Sequence, residues 1–146
     1  MAKLIATRTS QPVMEASFTF RFDDTMVNTA GNEVDFGKVN LGGAAGAFDI
    51  INLPENAVVV GGEVVTEAAF DTASYNILVG DAAVPGRYHA SADRKAVGRV
   101  ALTPTGAYSA SNLRLTFTSA DVCTAGKMTI RVQYIQPGRA CEVIPN

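Results

Sequence analysis

His89 is the only histidine in the chain, so any Ser-His-Asp relay would have to be built on it, with Asp81 or Asp93 as the acid that orients the ring. Its neighbours work against that chemistry. Arg87, Arg94 and Lys95 place positive charge beside an imidazole that must itself become a cation when it takes a proton. His89 therefore reads as a surface or packing residue, and the chain is expected not to be an enzyme. The carboxylates are scattered singly apart from Asp23 and Asp24, which follow the Phe18 to Phe22 segment and read as the start of a turn. No stretch has the alternating oxygen ligands and glycine of a calcium loop, and the spacing of Cys123 and Cys141 fits no zinc pattern, so neither metal nor cofactor is expected.

Three further groups carry potential binding chemistry. Gly42, Gly43 and Gly46 have the glycines of a phosphate-cradling loop, but no Lys-Ser/Thr pair follows them, and they read as a flexible tip. Arg87, Arg94, Lys95 and Arg99 form a basic stretch that is either a solvated loop or a patch for an acidic partner. Of the four tyrosines, alternation puts Tyr75 and Tyr134 on apolar strand faces. Tyr88 and Tyr108 are left as surface rings able to stack on a sugar or a base.

The elements that must position these residues read almost entirely as strands. Phe18, Phe20 and Phe22 alternate with Ser17, Thr19 and Arg21, the period-two pattern of a half-buried strand. Leu113, Leu115 and Phe117 alternate in the same way, as do Met128, Ile130, Val132 and Tyr134, and these two segments are expected to pair as antiparallel neighbours across a turn at Ser119 to Gly126. Ala47 to Leu53 is a short apolar strand ended by Pro54. Ala57 to Phe70 is a long one interrupted by Gly61 and Gly62, a pair that marks a bulge or bend. Tyr75, Ile77 and Val79 alternate again, and a short strand is expected within Val34 to Val39. Only Tyr88 to Val97, with Ala90, Ala92 and Ala96 and no Pro or Gly, is expected to form a short helix.

At 146 residues the chain is long enough for one well-buried domain, and its 47% hydrophobic and 18% charged content is that of a folded protein. A formal charge of -2 supplies no general attraction to nucleic acid or to anionic lipid, so neither nucleic acid nor membrane is an expected partner. Lys3 is followed by only three apolar residues, too few for a signal peptide, and synthesis without Sec-type export is expected. Many short strands separated by turn residues predict an all-β, jelly-roll-like antiparallel β-sandwich over residues 13–146, preceded by an extended arm at residues 1–12. An immunoglobulin-like sandwich or a barrel are the alternatives; the first lacks its usual Trp and its Cys spacing. Whether Cys123 and Cys141 join is open.

The run from Ile50 to Phe70 and Asp71, closing in Asn76-Ile77-Leu78-Val79-Gly80-Asp81, resembles the capsid decoration, or cement, proteins of tailed bacteriophages. Arg87-Tyr88 followed by Ala92-Asp93 looks like that family's RY…AD segment, and Thr124 to Ile135 looks like its closing strand, with Gly138, Arg139 and Glu142 in similar positions. The resemblance implies jelly-roll-like subunits, self-associated as dimers or trimers, that sit on the capsid surface of the virion and bridge major capsid proteins after synthesis in the host bacterial cytoplasm. The contact residues expected under it are Lys3, Leu4, Ile5 and Arg8 of the arm, together with Arg87, Tyr88 and Arg94. The competing expectation is a carbohydrate- or receptor-binding domain of a head fibre or tail spike, using Tyr88 and Tyr108; the lack of Trp argues against it.

Overall fold

The computed structural model describes residues 12–109 and 111–137. Their strands are β1 (Met14–Arg21), β2 (Thr25–Val27), β3 (Glu33–Asp35), β4 (Ala47–Ile51), β5 (Ala57–Ala68), β6 (Tyr75–Gly80), β7 (His89–Asp93), β8 (Gly98–Ala101), β9 (Tyr108–Ser109), β10 (Leu113–Ser119) and β11 (Lys127–Ile135), with one 3-10 turn at Gly43–Gly46. Two antiparallel sheets face each other, one ordered β1-β11-β5-β8 and the other β4-β10-β6-β7. Set aside the small β2-β3 ribbon and β9, and eight strands remain in the order of a jelly roll, with first and last strands adjacent and successive strands mostly crossing between sheets. The expected fold is therefore the observed one.

Two sequence expectations are overturned. Tyr88 to Val97 holds no helix: residues 89–93 form β7 at the edge of a sheet, because pairing with β6 outweighs the weak helical preference of scattered alanines. β10 and β11 do not pair. β10 lies between β4 and β6, whereas β11 lies between β1 and β5 in the opposite sheet, so Ala120 to Gly126 is a crossover between sheets and not a hairpin turn.

The alternation read along each strand fills the space between the sheets. Phe20, Val64, Met128, Ile130 and Val132 from one sheet meet Phe48, Tyr75, Ile77, Val79, Leu115 and Phe117 from the other, all buried. Phe36 enters this core from the connection between β1 and β4, at 4.4 Å between ring centres from Phe20, 4.8 Å from Phe48 and 5.5 Å from Phe117. Its carbonyl accepts a hydrogen bond of 3.0 Å from the Tyr75 hydroxyl. Two buried asparagines hold the same connection. Asn28 Oδ1 accepts from the N–H groups of Ala30 and Asn32, and Asn40 Oδ1 accepts from that of Gly42. Gly61 and Gly62 do mark an irregularity: the register against β11 slips between Gln133 and Tyr134, leaving Val60 as the extra residue, and Gly62 has φ +144°, where a Cβ would strike the Arg131 carbonyl.

Candidate interaction surfaces

The two outward faces of the sandwich have opposite character. On the β1-β11-β5-β8 face, Glu63 is gripped by Arg131, whose Nη1 lies 2.7 Å from Oε1, and by Arg99 on the other oxygen. Beside them Glu67 accepts from Thr129 at 2.6 Å and pairs with Lys127 at 2.8 Å, while Thr129 in turn meets Thr19 at 2.9 Å. The hydrogen bonds from Arg99 and Arg131 hold the Glu63 carboxyl below its ordinary value, and those from Lys127 and Thr129 do the same for Glu67. This is a charged, hydrated and internally matched surface.

That face has a polar recess of about 420 Å³ beside Glu63, Arg99 and Arg131, whereas the β4-β10-β6-β7 face carries a more apolar groove of about 550 Å³ lined by Ala44, Ala47, Leu78, Pro85, Gly86 and Thr116, among others. Leu78 projects outward from β6, between the inward Ile77 and Val79, and forms part of the lining. Arg114 also lines the groove, ion-paired with Asp49 at 2.9 Å. The glycine-rich tip contributes too, as the 3-10 turn whose Gly43 and Ala44 wall one side.

No relay is assembled at His89. The ring is 6% exposed at the start of β7, and its Nε2 accepts a hydrogen bond of 3.0 Å from Arg94 Nε. Burial, then the Arg94 charge, push its pKa below 6.5, so the ring is neutral at physiological pH. The two candidate acids are engaged elsewhere. Asp81 accepts from Arg87 at 2.6 Å and from the Val84 N–H at 2.7 Å, and Asp93 accepts from the Tyr75 and Lys95 N–H groups.

The predicted contact residues fare differently. Arg87 is mostly buried against Asp81 and does not line the groove, although Pro85 and Gly86 just before it do. Tyr88 is 1% exposed and belongs to the core, which removes it both as a surface contact and as half of a sugar platform; only Tyr108 is exposed. Tyr75 is buried and Tyr134 half-buried against the core, as alternation implied. The basic stretch does not gather into one patch, because Arg87, Arg94, Lys95 and Arg99 turn to Asp81, His89, the Ala73 carbonyl and Glu63 respectively. Lys3, Leu4, Ile5 and Arg8 lie outside the described residues, as does Cys141. Cys123 is buried, and burial raises its thiol pKa, which makes it a packing residue. The groove itself was missed by the sequence reading, since its lining comes from five separate segments with no shared pattern.

No protein-family model matches the chain, and neither does any curated protein. Several solved structures match along their length, two of them as follows. A chain of the Cyanophage Pam1 capsid asymmetric unit is 21% identical with a TM-score of 0.57, over 93% of this chain and 94% of that one. A chain of the acidic stable capsid structure of Helicobacter pylori bacteriophage KHP30 is 17% identical with a TM-score of 0.60, over 97% of each. The likeness is one of fold, a jelly-roll β-sandwich.

Proposed function

We propose that this chain is a phage virion structural protein that binds the outer face of the capsid and bridges neighbouring major capsid proteins. The observation that carries the reading is the end-to-end match to two chains from phage capsids. Each alignment takes in nearly the whole of both chains. The residue-level resemblance over residues 47–142 points the same way, and among the described residues His89 is engaged by Arg94 and not built into a relay.

In this reading the groove around Leu78, lined also by Arg114, meets the shell, and the charged opposite face meets water. The arm at residues 1–12, with Lys3, Leu4, Ile5 and Arg8, is a second contact. Repetition over a lattice makes self-associated subunits multivalent, so modest contacts at each site add up to firm attachment. Co-sedimentation with undecorated cognate capsids, with bound copies counted per shell, tests the proposal. Saturation at a symmetry-related copy number supports it, and absence of binding overturns it. Deleting residues 2–12 should lower the occupancy while the circular dichroism spectrum stays that of the full chain.

A further inference from the structure

Among the described residues the longest open edge is β1. It pairs with β11 on one side only. The Phe22 N–H donates to the Gly126 carbonyl at 3.1 Å, one step beyond the Arg21–Lys127 pair, so the even-numbered residues of β1 bond to β11. Alternation in an antiparallel ladder then points the N–H and C=O groups of Glu15, Ser17 and Thr19 away from the sheet. The next outward residue, Arg21, is already capped, its N–H by Asp24 Oδ2 at 2.7 Å and its C=O by the Asp24 N–H at 3.1 Å. The other edges are shorter or blocked. β8 has four residues, the Ala47 carbonyl of β4 accepts from Thr29, and the Tyr88 carbonyl at the start of β7 accepts from Thr103.

Natural edges are commonly blunted by Pro, Lys or a bulge, and β1 has none of these between Met14 and Arg21. Its apolar row is also incompletely covered, with Met14, Ala16 and Phe18 only half-buried while Phe20 is sealed. The outward row is self-complementary, since it begins with exposed Glu15 and ends with Arg21, whose side chain is 60% exposed and only loosely paired with Asp23 at 3.6 Å.

We infer that β1 is a homodimer interface, pairing antiparallel with β1 of a second copy about a two-fold axis at Ser17, so that two sheets join into one. That register uses all the outward groups of Glu15, Ser17 and Thr19, about six main-chain hydrogen bonds. It sets Phe18 opposite Ala16 of the second copy and brings Glu15 within diagonal reach of Arg21 of the second copy, twice over by symmetry.

The inference stands on the fold and not on the capsid reading, so either can fail alone. Sedimentation equilibrium of the full chain should give a dimer; a monomer or a trimer overturns the inference. Ser17→Pro removes an outward N–H that β11 does not use, a position where an edge strand tolerates proline, and should give a folded monomer by sedimentation and circular dichroism. A folded S17P protein that stays dimeric overturns the inference. Should S17P fail to fold, Glu15→Arg decides: it should weaken the dimer roughly tenfold, and adding Arg21→Glu should restore it. No weakening, or no restoration, counts against this register. Ser17→Cys should oxidise to a covalent dimer on a non-reducing gel, because residues opposite each other at the axis have Cα atoms about 5.5 Å apart, within disulfide range.

Discussion

Single residues decide how this core closes. Phe36 comes from a glycine-containing, partly polar stretch where only a short strand at Val34 to Val39 is expected, too short to mark a core position, yet it contacts aromatic rings from both sheets. Phe36→Ala should cost about 3–5 kcal/mol, read as a lower urea midpoint, because the surrounding rings are held by their own strands and cannot collapse into the space. Tyr88 was misplaced for the same reason: it precedes β7 by one residue, outside any alternating run. Tyr75, within a clean alternation, was legible. His89 carries a pH dependence whose sign follows from its surroundings. Its pKa is depressed in the folded state, so below 6.5 the unfolded chain binds more protons than the folded one, and stability falls as pH falls through that window. The drop in urea midpoint between pH 7.5 and pH 5.5 should be smaller in His89→Gln than in the parent, a difference that cancels what the carboxylates contribute to both.

At the scale of elements, period two reports which side chains face inward but not which strand lies alongside. That is why the strands at Met14–Arg21, Tyr75–Gly80, Leu113–Ser119 and Lys127–Ile135 were readable while the pairing of the last two was not. In a jelly roll, strands successive in sequence cross to opposite sheets, so a short polar connection looks the same whether it turns a hairpin or bridges the sandwich. The crossover before β11 leaves a testable mark. Gly126 has φ +143°, and a Cβ there would run into the ring of Phe70, which stacks on Tyr75 at 4.0 Å. Gly126→Ala should destabilise by about 1–3 kcal/mol. Gly98→Ala, where a Cβ meets open space at the edge of the same sheet, should be neutral or stabilising by up to about 1 kcal/mol, and thermal melts of the two variants separate the cases.

For the whole molecule, the contrast between its faces predicts an orientation on the shell under the proposed function. Both oxygens of Glu63 are already held by Arg99 and Arg131, so burying this ladder against a partner would strip water from groups that gain no better company. The groove has the reverse balance. Leu78 faces outward there, close enough to Gly86 that a Cβ on the glycine would lie 3.0 Å from the leucine methyl, so glycine at 86 is what keeps this wall low. Leu78→Glu should leave the fold intact, because the side chain points away from the core, and should lower capsid occupancy. Burying one leucine is worth about 1.5–3 kcal/mol, which corresponds to roughly a tenfold or greater rise in the concentration needed for half-saturation. Glu63→Gln on the opposite face should leave the saturation curve where it was. If the two variants exchange behaviours, the molecule sits on the shell the other way up, and the charged face makes the contact.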